Sequence, residues 1–222
     1  TYRLASAPEE NSLKRVFSLI GGENLRILGD HTRLLMKAPY RVAYFKQCRN
    51  VEFSGFIIDY SPKPFVLGTV AAIDPDKRYI DFTTRDDLNF TGKVEPPQPY
   101  YAFRNRTDER LHYFISSMEQ LGTGSYRLYM TDASRVAAAQ VGEEFILPVY
   151  QNSHSIGSLF SISETENFEM SNVYIEAVPE FAFDIRSNRG YTRFTNVRLE
   201  PPEGSGIHLV SWRDGFHVKD NV

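Results

Sequence analysis

The sequence predicts an all-β protein in which a right-handed parallel β-helix carries an inserted small antiparallel β-barrel. A pattern of about 25 residues recurs along the chain, and about 90 residues are inserted between two of its neighbouring copies. The chain of 222 residues also contains 16 Phe and 13 Tyr but few segments with helical periodicity, a bias that favours strands. The recurring pattern predicts the solenoid, and the gap between its copies predicts the insert.

The first copies define the opening coils, which we place in residues 1–60. Residues 24–29 have the pattern asparagine, apolar, charged, apolar, any residue, glycine, and residues 50–55 repeat it 26 positions later. Apolar residues at every second position are typical of a strand with one buried face. Units this short bury a continuous core only when they stack, as in a parallel β-solenoid. The alternative is an antiparallel sandwich whose strands recur by chance.

Residues 61–151 form the predicted barrel domain. Alternating residues on both sides of an Asp-Pro-Asp-Lys turn predict a hairpin over residues 68–82. Two further strands, predicted at residues 126–130 and 141–150, complete the evidence for a small antiparallel barrel. Residues 104–118 have a mixed character, and we expect them to form a loop with a helical turn.

The pattern returns in residues 152–222, where we expect the coils to continue. Residues 167–175 carry it with asparagine in the place of glycine, and residues 192–199 repeat it at a spacing of 24. Asn221 begins another copy, 25 positions after Asn196. Because this copy stops in mid-coil, we expect the solenoid to be truncated here.

Composition argues against several partners and cofactors. The net charge of −3, with no long basic run, is unlike a duplex-binding surface, so nucleic acid is not an expected partner. No apolar run approaches the roughly 20 residues of a spanning helix, so no membrane is expected either. The single cysteine, Cys48, excludes an internal disulfide framework, and the five histidines lack the spacing of a zinc site. With no phosphate-binding or dinucleotide fingerprint, neither a metal nor another cofactor is expected.

Residues 48–70 contain, in order, Asn-Val, Ile-Asp-Tyr, Pro-Phe, Gly and Val, and this order resembles a segment of the β-helical glycoside hydrolases of family 110. Residues 141–143, 173–177 and 211–217 match the same family in the same order, so the resemblance spans about residues 24–222. It implies a pectin-lyase-like β-helix with an inserted barrel, acting as an exo-α-galactosidase on a glycan or oligosaccharide. Because such substrates lie outside the cytoplasm, we expect a secreted or periplasmic protein.

The resemblance implies an inverting hydrolysis by aspartates on adjacent coils. Asp214, in an Asp-Gly motif, matches the first of them, whereas the Asp-Asp pair of the next coil has no counterpart before Val222. Inversion needs one carboxyl group to protonate the leaving oxygen and another to deprotonate water. Stacked coils bring such groups about 4.8 Å apart. We therefore expect the chain to lack the complete catalytic set; the simpler role for Asp214 is a turn.

Four more residues are candidate substrate ligands. His217 can hydrogen-bond a sugar hydroxyl or shift a carboxylate pKa, and Trp212 can stack on a sugar. Arg213 can pair with a carboxylate, and Asp184, 30 residues before Asp214, can face the same groove. Their simpler roles are a packed or surface histidine, a tryptophan on the groove floor, a solvated arginine and an aspartate on a solvated strand edge. If the groove only holds glycans, the chain is a non-catalytic carbohydrate-binding or adhesin-like β-solenoid.

Other acidic residues have local explanations. Asp59 lies in an apolar run, and we expect it to cap the turn where the chain leaves the solenoid for the insert. Residues 74–76 and 86–87 lack the spacing and the final Glu of an EF-hand calcium loop, so solvated turns are expected there.

Overall fold

A computed structural model describes residues 2–3, 15–37, 40–61, 63–85, 100–104, 113–148, 158–178, 181–201 and 216–221. The elements are β1 (Tyr2–Arg3), β2 (Arg15–Ile20), β3 (Glu23–Met36), β4 (Arg41–Lys46), β5 (Arg49–Tyr60), β6 (Phe65–Asp74), β7 (Tyr79–Thr84), β8 (Tyr100–Arg104), β9 (Tyr113–Gly122), β10 (Ser125–Met130), α1 (Ala133–Ala138), β11 (Glu144–Pro148), β12 (Phe160–Ser163), β13 (Glu166–Ile175), β14 (Phe183–Arg186), β15 (Arg189–Leu199) and β16 (Phe216–Lys219). The predicted all-β class is confirmed, since these residues form strands almost throughout and one short helix.

The chain divides into two compact units. The first comprises residues 1–64 and 156–222, and the second comprises residues 65–155. The first unit contains two five-stranded sheets in which every pairing is parallel. Sheet 1 has the order β1-β3-β5-β13-β15, and sheet 2 has the order β16-β14-β12-β4-β2. From β2 onwards, the strands of this unit therefore alternate between the two sheets, one strand to each on every pass.

The core of the first unit lies between the inner faces of the two sheets. Phe160 and Phe183 stack with ring centroids 5.3 Å apart, and Phe53 of sheet 1 meets Phe160 of sheet 2 edge to face at 5.2 Å. Alternation along each strand places these rings inward. The register of sheet 2 aligns two apolar rows, Phe17, Ala43, Phe160, Phe183 and Phe216, and Leu19, Phe45, Ile162, Ile185 and Val218.

The asparagines of the repeat occupy left-handed backbone positions. Asn24, Asn50 and Asn167 have φ between 52° and 57°, a conformation that asparagine tolerates better than most residues. Their side chains form a ladder, since the Asn50 amide donates to Asn24 at 2.9 Å and the Asn167 amide donates to Asn50 at 3.1 Å. At the last position of the pattern, Gly55, Asn172 and Asn196 have φ of 79°, 53° and 52°, which explains why both glycine and asparagine occur there.

Asn221 does not occupy the position that the sequence predicts for it. Strand β16 pairs in register with β14, and Asn221 accepts a hydrogen bond from the backbone N–H of Asn188 at 2.9 Å. Asn221 is therefore equivalent to Asn188 and lies 33 residues after it. The predicted equivalence to Asn196 is wrong, because this pass is longer than the average period of the repeat.

The second unit is a closed antiparallel barrel of six strands, in the order β10-β7-β6-β11-β8-β9. The predicted hairpin corresponds to β6 and β7, and the Asp74 carboxylate accepts from the Lys77 backbone N–H at 3.0 Å in the turn between them. This hydrogen bond lowers the pKa of the Asp74 carboxyl group.

The sequence predicted a loop with a helical turn at residues 104–118. This prediction is wrong in part, since strand β9 begins at Tyr113. The barrel core is formed by Val66, Val70, Ile80, Phe82, Ile115, Tyr126, Leu128, Met130, Val136 and Ala139.

Replacing Asn50 separates the two contributions of the asparagine ladder. Asn50→Ala is expected to lower the free energy of unfolding by about 2 kcal/mol, because alanine pays about 1–2 kcal/mol in the left-handed region and loses the ladder hydrogen bonds. Asn50→Gly loses the same hydrogen bonds but is free of the steric cost, so it should be the milder variant. A glycine already occupies a left-handed position next to Asn167 in the following pass, since Gly190 has φ of 67°. Urea unfolding of both variants measures the difference, and equal stability of the two would refute the backbone explanation.

Candidate functional site

The structure describes two of the five predicted site residues. Trp212, Arg213 and Asp214 lie outside the described residues. His217 lies in β16, where its backbone is described, and Asp184 lies in β14. Asp214 precedes Phe216, the first residue of β16, by two positions. The candidate site is therefore built on sheet 2, from the strands that surround Asp184.

Asp184 lies in a row of register-matched residues on sheet 2. Ser161 is its partner on β12 and His217 is its partner on β16. Tyr44 of β4 is in turn the partner of Ser161. Adjacent strands lie about 4.8 Å apart, so the four positions form a line across the sheet. We call it the Tyr44–His217 row.

The described side chains of this row point away from the core. Phe183 and Ile185, the neighbours of Asp184 along β14, are buried at 0% and 3% exposure. Because successive side chains of a strand point to opposite faces, Asp184 projects from the outer face of sheet 2. The same reasoning places Ser161 on this face, between the buried Phe160 and Ile162.

The sequence predicted that Asp184 lies on a solvated strand edge, and this prediction is wrong. Strand β14 lies between β12 and β16, so it is an interior strand, and only 19% of the Asp184 side chain is exposed. Its Oδ1 accepts a hydrogen bond from Arg186 Nε at 2.7 Å, and this hydrogen bond and the charge of Asp184 raise the pKa of the arginine. An ion-paired carboxylate is an acceptor of hydrogen bonds. Asp184 is therefore suited to accept a hydrogen bond from a hydroxyl group.

Tyr44 is a member of the row that the sequence reasoning missed. The Arg15 guanidinium carbon lies 4.0 Å from the centre of its ring, a cation–π distance. The available signal was local: Tyr44 stands between Ala43 and Phe45, both fully buried, so the alternation already assigns it to the outer face. What the sequence did not show was that Ser161 and Asp184, more than 100 residues away, lie on the next two strands.

A second cluster of charges lies on sheet 1. Arg33 of β3 donates to Glu176 through both terminal nitrogens, at 2.5 and 2.9 Å, and its Nη1 lies 3.8 Å from Asp59 Oδ2. Lys63 pairs with the other oxygen of Asp59. The side chains of Asp59 and Glu176 are each only 12% exposed. This cluster, the Arg33 network, connects β3, β5 and the end of β13.

The Arg33 network is a weak candidate for acid–base catalysis. Its two carboxylates pair with two cations, Arg33 and Lys63, so the described side chains of the network already engage one another. The Glu176 hydrogen bond raises the pKa of Arg33, so the guanidinium stays charged. Asp59 also accepts from the Tyr60 N–H at 2.7 Å, within β5, and its role in capping the turn after β5 stays a prediction. The network holds three strands together.

A polar groove of about 360 Å³ lies where sheet 2 leads into sheet 1. Its polar residues largely pair with one another: Arg49 contacts Glu23 at 3.5 Å and Glu166 at 3.1 Å, and Gln47 donates to Glu164 at 2.8 Å. Among the described residues, no group of three or more His, Cys, Asp or Glu side chains is arranged to hold a metal ion. The same residues include no helix with the length and apolarity to span a membrane.

A double-mutant cycle tests the strand-holding role of the Arg33 network. Arg33→Gln, Glu176→Gln and the double variant should give a coupling free energy of about 1–2 kcal/mol, because the pair is bidentate and half-buried. The matched control is Arg26 and Glu52 on the same sheet, an ion pair at 2.7 Å whose side chains are 67% and 36% exposed. Urea unfolding should give the control a clearly smaller coupling. Equal couplings would contradict the assigned role.

Comparison with known protein families and with curated proteins finds no match to this chain.

Proposed function

We propose that this chain forms the glycan-binding part of a parallel β-helix glycoside hydrolase similar to the family 110 α-galactosidases. The observation that carries the proposal is the Tyr44–His217 row, which aligns an aromatic ring, a small residue, a carboxylate and a histidine position across the outer face of one sheet. Sugar sites use this combination, since an aromatic face contacts C–H groups while polar side chains fix the hydroxyls. Secretion or a periplasmic location belongs to the same proposal.

Two features of the first unit support a right-handed parallel β-helix. Each pass adds one strand to sheet 2 and one to sheet 1, always in parallel. The residue that turns the chain from sheet 2 towards sheet 1 is left-handed in successive passes, with φ of 53° at Gln47, 52° at Glu164 and 53° at Ser187. Parallel crossovers between strands of one sheet are right-handed in nearly all proteins, which gives the proposed hand.

In the proposed reaction, water cleaves a terminal α-linked galactoside with inversion. The water oxygen forms a bond to the anomeric carbon as the glycosidic bond breaks, a carboxylate takes the proton from the water, and a carboxylic acid protonates the leaving oxygen. We assign the water-activating role to Asp214, which precedes in sequence the strand β16 that pairs with the strand of Asp184. The proton donor would come from a further coil, as the family resemblance implies. Asp184, held by Arg186, binds substrate hydroxyls in this scheme.

A glycan-binding module without catalysis is the second candidate. The ion pair between Asp184 and Arg186 favours it, because this carboxylate is arranged to accept hydrogen bonds. The register also supplies no second carboxylate to the row on β4 or β12, where Tyr44 and Ser161 stand. The two candidates share the binding face and differ only in the reaction.

Asp184→Asn tests the binding face. The variant should weaken binding of methyl α-galactoside at least tenfold, because the Arg186 ion pair is lost and the neutral amide oxygen is a weaker acceptor for a sugar hydroxyl than a carboxylate. Isothermal titration measures this. Asp81→Asn in the barrel is the matched control, since Asp81 also forms a hydrogen-bonded ion pair with an arginine, Arg127, at 2.7 Å and is 14% exposed. Unchanged affinity in Asp184→Asn, or an equal loss in the control, would count against the assigned face.

Asp214→Asn separates the two candidate functions. If the protein hydrolyses a chromogenic α-galactoside, the variant should reduce kcat at least a hundredfold while leaving sugar binding within about threefold, because the general base acts mainly in the transition state. Hydrolysis that survives the substitution would rule out the role of Asp214. Binding of the galactoside without any hydrolysis, by a protein that includes the coil with the proposed proton donor, would establish the binding module instead.

A further inference from the structure

Strand β15 is the last strand of sheet 1. It pairs with β13 on one side, and no strand among the described residues pairs with its other edge. The edge of a sheet presents a row of backbone N–H and C=O groups to which a further strand can add. The side chains of β15 indicate what kind of strand fits this edge.

The inner side of β15 is less covered than the inner side of β13. Met170, Val173 and Ile175 of β13 are fully buried, whereas their register partners on β15 are only partly buried. These partners are Phe194, Val197 and Leu199. Phe216 of sheet 2, whose ring centre lies 5.4 Å from that of Phe194, is 45% exposed. A strand with apolar residues at the same inward positions would remove this surface from water, which is favourable.

The charged residues of β15 are all basic and all exposed. They are Arg189, Arg193 and Arg198. Arg189 continues a row of alternating charge across sheet 1, in which Arg49 contacts Glu23 at 3.5 Å and Glu166 at 3.1 Å. The next residue in this alternation is an acidic one, on a strand beyond Arg189.

Arg193 gives the same preference. It lies 4.0 Å from Glu169 of β13 on one side and borders the free edge of β15 on the other. Opposite charges on neighbouring strands attract, and like charges directly opposite each other destabilise the pairing. An acidic residue opposite Arg193 is therefore favoured, and a lysine or arginine there is disfavoured.

The asparagine positions favour a parallel direction for the added strand. Asn196 donates to Asn172 Oδ1 at 2.8 Å, as Asn50 donates to Asn24 at 2.9 Å. In both pairs the later strand donates to the earlier one, so the amide oxygen of Asn196 can accept from a strand that follows. All pairings of sheet 1 are parallel, and a parallel strand in register is the one that places an asparagine there.

We propose that the free edge of β15 binds an extended acidic segment of a protein partner as a further parallel strand, with carboxylates opposite Arg189 and Arg193. This interaction surface lies on sheet 1 and is independent of the glycan-binding face proposed on sheet 2. The competing role of the arginines is to keep the edge unpaired, since charged side chains on edge strands discourage association.

A synthetic peptide with the sequence of β13, Glu166–Ile175, is a suitable probe. This sequence already pairs with β15 in register and places Glu166 and Glu169 opposite the two arginines. The fluorescently labelled peptide should bind the full chain saturably, and added salt should weaken the binding. The matched peptide with Glu166→Lys and Glu169→Lys should bind roughly tenfold more weakly, because both charge pairs become repulsive. Fluorescence anisotropy measures both affinities.

Variants of the protein locate the binding edge. Arg189→Gln combined with Arg193→Gln should weaken binding of the glutamate peptide about fivefold, because two charge pairs are lost. Arg26→Gln is the matched control: Arg26 is 67% exposed and also pairs with a glutamate, but it lies on β3, three strands away, so affinity should not change. A spin label on the first residue of the peptide should broaden the amide NMR signal of Gly190 rather than that of Leu199.

The outcomes separate binding from edge protection. A preference for the glutamate peptide that is lost in the double arginine variant, with broadening at Gly190, supports the proposal. Equal affinity for the two peptides, or no saturable binding of either, overturns it and leaves the arginines as protection of the edge. Broadening at Leu199 overturns the parallel direction. Self-association of the protein that the glutamate peptide reverses overturns the proposed partner and assigns the edge to a second copy of this chain.

Discussion

The first unit depends on parallel register, which forces equivalent residues of successive passes into the same conformation and onto the same face. Its consequences are clearest at the left-handed positions. A residue other than glycine costs about 1–2 kcal/mol in this region, yet Asn24, Asn50 and Asn167 all adopt it. The cost is offset by the hydrogen bonds that each asparagine forms with the next, at 2.9 and 3.1 Å. The ladder, the aromatic stacks of the core and the row on sheet 2 all follow from this one constraint.

The sequence predicted those parts of the fold that depend on residue type. Asparagine and glycine are the residues that tolerate a left-handed backbone, so their recurrence revealed the stacked strands. The turns from sheet 2 to sheet 1 are equally regular in structure, but Gln47, Glu164 and Ser187 share no side-chain chemistry, so no pattern marked them. Counting residues failed for Asn221 because register follows hydrogen bonding rather than a fixed spacing. The barrel hairpin was predictable because its turn and its strands are contiguous.

The candidate site was predictable only one residue at a time. Asp184 and His217 were identified separately, and the register places them on adjacent strands. Tyr44 joins them only through the pairing of β4 with β12, which no local pattern reports. The Arg33 network shows the same division: the hydrogen bond that Asp59 accepts comes from its immediate neighbour, whereas the partner of Arg33 is 143 residues away. Contacts between residues that are neighbours in sequence can be predicted from the sequence, whereas contacts between residues on paired strands require the structure.

The pairing of β6 with β11 explains how the first unit tolerates the insertion of the second unit between β5 and β12. Phe65 and Pro148, near the two ends of the second unit, are register partners, so the barrel begins and ends at the same place on its own surface. Strands β5 and β13 are likewise neighbours in sheet 1, although the barrel separates them in sequence. The entropy of closing a loop grows only with the logarithm of its length, and a folded module with adjacent ends behaves as a much shorter loop than its residue count suggests. Exchange of this module for another of different size is therefore a change that the stacked sheets can accept at little thermodynamic cost.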